Sequence, residues 1–154
     1  MFETILVPLD GSKLAEESLG KVKEIIRVHG SKVVLLRVAF ALVFPGADPT
    51  KSQIQVTEEA EGYLETVKKG LESGGIRAET VVRYGFPAEE ILAHINRGGV
   101  DLLAMTTHGR TGPARMVMGS VAEQVMRHSD VPVLLFRASG TRAIKKEKHA
   151  APAA

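Results

Sequence analysis

Four short, almost unbroken apolar runs, most of them closed by a turn signal, constrain this chain more than any other feature: "ETILVPLD", "KVVLLRVAF", "VDLLAMTT" and "VPVLLFR". A strand with one wet face would alternate apolar and polar residues, so runs like these suit strands covered on both faces. "IRAETVVRYG" alternates more and is expected at a sheet edge. Between the runs, apolar residues recur at helical spacing. Ala15, Leu19, Val22 and Ile26 fall on one face, and so do Val56, Ala60, Leu64, Val67 and Leu71. Ser12 can cap the first helix, with Glu16 and Glu17 near its positive end, and His29-Gly30 stops it. "ALVFPGADPT" is a linker with two prolines, and Ser73-Gly74-Gly75 ends the helix that follows. "FPAEEILAHINRGG" is a third helix with Pro87 in its first turn. A fourth starts near Ser120.

The order is therefore βαβαβαβαβ. Helical crossovers between strands are right-handed and join parallel strands, so the predicted class is α/β: a doubly wound, five-stranded, mainly parallel sheet with helices on both faces. The 154 residues are expected to hold one such domain, over 1–137, followed by a basic, mobile tail over 138–154.

Charge sharpens that division. Five basic residues (Arg137, Arg142, Lys145, Lys146, Lys148) against Glu147 give the segment from Arg137 a charge of +4. Since the net charge is +2, the rest carries −2. The domain is not a basic surface, which speaks against nucleic-acid binding by the fold. With no cysteine, disulfides and thiolate metal sites are excluded. The start "MFETILVPLDGS" lacks the pattern of a signal peptide, and no apolar run nears the roughly 20 residues of a membrane span. The expected location is cytoplasmic.

In a sheet of this kind ligands bind beyond the carboxyl ends of the strands, where the strand order reverses. The polar or small strand ends are "VPLDGS" and "MTTHG". The second opens the stretch "MTTHGRTGPARMVMGSVAEQV", in which Gly109 and Gly112 permit close approach of backbone amides. Gly119-Ser120 lies where the fourth helix begins. Glycine amides converging with a helix N-terminus can hold phosphate. Asp10 can accept from a ribose hydroxyl or lie on the metal side of the phosphates. Taken alone, the glycine stretch is more often a plain turn than a phosphate site.

Other chemistries find little support. His29, His94, His128 and His149 are scattered without a second ligand at metal spacing, and His94 at i+4 from Glu90 offers only a helix-surface pair. There is no Gly-x-Ser-x-Gly elbow, no Gly-x4-Gly-Lys-[Ser/Thr] loop and no Gly-x-Gly-x-x-Gly after the first strand. Met116, Met118 and Met126 read as core or interface filler, and Arg115 either as a phosphate clamp or as a solvated loop cation.

These residues together resemble the universal stress protein family in its ATP-binding branch, over about Phe2 to Arg137. "ILVPLDGS" is similar to the family's first strand and Asp-containing turn, and "VVLLRV" to its second strand. The family pattern Gly-x2-Gly-x9-Gly-[Ser/Thr] is matched from Thr106 through Gly109 to Gly119-Ser120, with nine residues between Gly109 and Gly119. Thr106 departs from it, standing where the pattern has glycine, and its Cβ is harmless only where φ is negative. Pro113 removes one amide donor from the loop.

The resemblance implies a Rossmann-like, adenine-nucleotide α-hydrolase-like domain that binds ATP, alone or with Mg2+ or Mn2+. It assigns Pro8, Asp10, Val38, Met105, Thr106, Gly109, Gly119, Ser120 and Val121 to the nucleotide. Asp10 and Val38 lie toward ribose and base; Gly109, Gly119 and Ser120 hold the phosphates; His108 and Arg110 flank them. It also implies a homodimer through the last strand, Val131 to Arg137. Three functions stay open: a stress-response regulator biased by bound ATP, with at most slow hydrolysis; a dimeric interaction protein that binds no nucleotide; and an adenylyl-transferring enzyme.

Overall fold

The computed structural model describes residues 2–107 and 118–137. Its first strand, β1 (Thr4–Pro8), buries Ile5, Leu6 and Val7 completely. A strand buried like this needs a neighbour on each edge and a helical layer on each face. The remaining elements supply them: α1 (Lys13–His29), β2 (Lys32–Ala39), α2 (Pro49–Glu72), β3 (Ala78–Tyr84), α3 (Pro87–Asn96), β4 (Leu102–Thr106), α4 (Ser120–His128) and β5 (Val133–Phe136). The sheet order is β3-β2-β1-β4-β5 and all four pairings are parallel. The predicted fold class is the observed one, with the alternating strand β3 at one edge and β5 at the other.

Strand alternation sorts the core into two layers. Ile5, Val7, Val33, Leu35, Leu102 and Ala104 pack against α1 and α2 through Leu19, Val22, Leu64 and Leu71. Leu6, Val34, Leu36, Leu103 and Met105 face the opposite way, toward Ile91 and Ile95 of α3 and Ala122 and Val125 of α4. The apolar stripes read from the sequence are the faces that pack here.

Helix ends follow local chemistry. Ser12 Oγ accepts from the Ala15 amide at 3.1 Å, and Gly30 closes α1 with φ of 66°. The Asp48 carboxylate accepts from the amides of Thr50 and Lys51, so α2 begins at Pro49 and takes two residues from the predicted linker. β5 is shorter than the run "VPVLLFR": Pro132 has no amide to donate, though its carbonyl accepts from Leu103 at 3.0 Å. His94 and Glu90 form no ion pair. The His94 Nδ1 is instead buried without a hydrogen-bond partner, and burial, then the Arg83 and Arg97 charges, lower its pKa. Among the described residues no helix is long and apolar enough to cross a membrane.

The two central strands are clamped at one end. Asp101 Oδ2 accepts from the amides of Glu3 (3.0 Å) and Thr4 (2.8 Å), and the Asp101 amide donates to the Thr4 carbonyl. Toward their carboxyl ends β1 and β4 pair only through Ile5 with Leu102 and Leu6 with Leu103, although both strands continue.

Leu35 is fully buried in the layer under α1 and α2, whereas Leu42 is 71% exposed in the β2–α2 linker. Leu35→Ala is expected to lower stability by about 3 kcal/mol. Leu42→Ala should change it by no more than about 0.5 kcal/mol. Urea unfolding of the two variants measures the contrast.

Candidate functional site

The order β3-β2-β1-β4-β5 reverses direction at β1 and β4: the chain winds outward from β1 through β2 and β3, then returns to place β4 on the other side of β1. Crossovers leave this point in opposite directions, so the carboxyl ends of β1 and β4, each paired on its outer side but not with the other, border a crevice. Residues from both of the strand ends singled out in the sequence border it.

On the β1 side, Pro8 ends the strand, and the Leu9 amide donates to the Leu36 carbonyl at 2.8 Å. Asp10 follows, half-buried, with Oδ1 accepting from the Ser12 amide at 2.9 Å. That bond closes a tight turn in which Gly11 takes φ of 83°, a conformation favouring glycine. Ser12 then caps α1, so one short segment passes directly from strand end to helix start. Pro8 is level with Leu36 in the sheet, and β2 runs on past it to Val38, which is half-buried on the α3/α4 face.

On the β4 side, Met105 and Thr106 are buried, paired with Leu135 and Phe136 of β5. Thr106 has negative φ, since no described non-glycine residue has a positive one. Its Cβ is therefore accommodated by ordinary strand backbone, and the departure from the glycine pattern introduces no backbone strain. The Thr107 amide donates to the Phe136 carbonyl, and the Gly119 amide donates to the Thr107 carbonyl at 2.6 Å. This second bond brings the start of α4 to the end of β4. Gly119 is the N-cap of α4 and has no side chain with which to cap it. The first-turn amides of Ser120, Val121 and Ala122 have no intrahelical acceptor, as at every helix start, and there the helix dipole is positive. Ser120 is exposed, and Gly119 and Val121 are half-buried.

The structure thus brings Pro8, Asp10, Val38, Met105, Thr106, Gly119, Ser120 and Val121 to the carboxyl end of the sheet. His108, Gly109, Arg110, Gly112, Pro113, Arg115 and Met116, the other glycine-stretch residues named from the sequence, lie outside the described residues, as does the tail over 138–154.

Sequence reasoning passed over a second group beside Asp10. The Tyr63 hydroxyl of α2 donates to Glu16 Oε1 in the first turn of α1 at 2.8 Å. The Arg37 guanidinium of β2 lies over the Tyr63 ring, 4.8 Å from its centre. A signal was present, for Arg37 is the one charged residue inside the run "VVLLRVAF". Burial raises the Tyr63 pKa well above its usual value of 10; the hydrogen bond to Glu16 and the Glu16 charge act in the same direction, and Arg37 opposes them.

The Universal stress protein family model matches residues 1–137. Universal stress protein MJ0577 of Methanocaldococcus jannaschii is 33% identical to this chain, the match covering 89% of this chain and 96% of that protein. Its solved structure superposes with a TM-score of 0.79 at 31% identity, covering 92% of this chain and 99% of the other. Universal stress protein YxiE of Bacillus subtilis is 29% identical over 89% of this chain and its own full length. A family member from Arabidopsis thaliana, 17% identical, shares the fold with a TM-score of 0.65, covering 89% of this chain and 92% of its own. This chain belongs to the universal stress protein family.

The Tyr63 phenol has a pH consequence. Its folded pKa lies above the unfolded value, so its contribution to stability is complete below pH 10 and is lost as pH rises beyond that. Wild-type protein should therefore lose stability more steeply above pH 10 than Tyr63→Phe, which has no hydroxyl to ionise. Denaturant unfolding of both proteins at stepped alkaline pH checks the difference in slope.

Proposed function

We propose that this chain is an ATP-binding universal stress protein, a cytosolic stress-response regulator whose bound nucleotide biases its conformation or its choice of partner. The carrying observation is the crevice between β1 and β4, with the Asp10 turn on one side and the α4 N-terminus held to Thr107 on the other. The donor chemistry fits the ligand. A carboxylate suits ribose hydroxyls, and helix-start amides with a hydroxyl beside them suit phosphate oxygens. In this reading Asp10 and Val38 face ribose and base, with Pro8, Met105 and Thr106 bordering them. Gly109, Gly119, Ser120 and Val121 hold the phosphates, and His108 and Arg110 flank them.

One further point supports the reading. The Arabidopsis thaliana neighbour was solved with AMP bound, so the fold accommodates an adenine nucleotide. Mg2+ or Mn2+ accompanying the nucleotide would be held by phosphate oxygens, with Asp10 nearby. Nucleotide released from denatured protein and identified by mass spectrometry, followed by ATP titration, tests the proposal. Gly119→Val places a branched side chain where phosphate approaches. It should weaken ATP by about tenfold or more, the scale of a lost charge-assisted hydrogen bond, with the circular dichroism spectrum unchanged. Failure of every adenine nucleotide to bind would point to the interaction-protein reading, and AMP production with an acceptor to the adenylyl-transfer reading.

The proposal includes a homodimer through Val131 to Arg137. Val133, Leu134, Leu135 and Phe136 are half-buried at the sheet edge, and an apolar edge strand invites pairing with a second copy. Sedimentation at micromolar concentration should show a dimer; a monomer would overturn this part.

A further inference from the structure

The Arg37 side chain leaves an otherwise apolar strand on the face of Val33 and Leu35, toward α1 and α2. A half-buried cation there needs a defined seat to offset its lost hydration. Part of that seat is the Tyr63 ring, which the Glu16 hydrogen bond ties to the first turn of α1. Another part is Gly11. A Cβ built on Gly11 would stand 3.1, 3.2 and 3.3 Å from Arg37 Nη1, Nη2 and Cζ. The end of the guanidinium therefore lies against the glycine, where any side chain would crowd it. Arg37 thus packs against both an aromatic ring and the backbone of the β1–α1 turn.

We propose that Arg37 is the positioning residue of the nucleotide site: packed against both Tyr63 and Gly11, it holds the turn that presents Asp10 to the ribose. The inference rests on the ATP-binding reading for its ligand, while the seat itself stands on this chain alone. Gly11 is the most permissive residue in the turn, and its left-handed conformation is held locally by the bond from the Ser12 amide to Asp10 Oδ1. A planar group packed against it narrows the conformations open to that turn. Asp10 is then oriented before ligand arrives, so less ordering is left to binding.

Arg37→Met keeps aliphatic bulk and removes the planar cation. Amide hydrogen exchange at Ser12, followed by NMR, reads the turn without any nucleotide and should be about tenfold faster in this variant. Unchanged exchange would overturn the proposal. The second readout compares ATP with 2′,3′-dideoxy-ATP, which lacks the hydroxyls assigned to Asp10. Wild-type protein should prefer ATP by about tenfold, a charge-assisted hydrogen bond's worth, and Arg37→Met should bring the ratio near one with little change for the dideoxy nucleotide. Equal weakening of both nucleotides would show a general structural role and overturn the proposal. Arg37→Lys keeps the charge without the planar group and should recover little of the ratio; full rescue would overturn the role of the guanidinium plane. If Arg37→Met does not fold, Tyr63→Leu removes the seat and is read in the same two ways. Wild-type protein that binds no adenine nucleotide would defeat the ATP reading, and Ser12 exchange would still decide the role of Arg37.

Discussion

The whole arrangement depends on the burial of β1 from both faces and along both edges. Ile5, Leu6 and Val7 belong to the first strand in chain order, which occupies the middle of the sheet. With β1 central, the elements after it build outward on one side through β2 and β3 and then return to build on the other through β4 and β5. Right-handed crossovers then place α1 and α2 on one face and α3 and α4 on the opposite one. The reversal that this requires falls between β1 and β4. The crevice is therefore a consequence of covering the central strand rather than a feature added to it.

The two ends of that strand pair differ in a way that suits binding. Asp101 draws the amino ends together with two amide hydrogen bonds to one carboxylate oxygen. The carboxyl ends are free of each other and carry turn chemistry instead: an Asp10 bond across a left-handed glycine on β1, and a glycine N-cap tied to Thr107 on β4. Rigidity at one end lets the other remain open without loosening the sheet. Around the open end, Arg37, Tyr63 and Glu16 link β2, α2 and α1 to the Asp10 turn, so its geometry depends on elements distant in sequence.

Much of the fold was legible because each strand and helix announces itself locally. Ser12, Gly30 and Pro87 stand at helix ends where their backbone preferences place them, and Leu19, Val22 and Leu64 face the core as their spacing requires. The departures were also local, but harder to weigh. Asp48 extends α2 backward over Pro49 because a capping carboxylate outweighs the linker-like composition around it. His94 lies four residues from Glu90 and still makes no pair, because the surroundings bury its ring beside two arginines. Thr106 was ambiguous in sequence, since residue type does not disclose φ, and the strand backbone resolves it. Arg37 was visible as a charge within an apolar run, but nothing in the run indicates which ring or which turn its side chain reaches.

The sequence by itself determined the alternation of buried strands and amphipathic helices, the turn residues at their ends and the family to which the chain belongs. These are set by short-range periodicity, by backbone preference and by a motif of fixed spacing, all of which can be read along one dimension. Tertiary structure alone decided that β1 and β4 part at their carboxyl ends, that α4 starts against Thr107, and that Arg37 packs against both Tyr63 and Gly11. Each of these joins residues far apart in the chain. Their distances follow from the order in which strands stack, which no local stretch encodes.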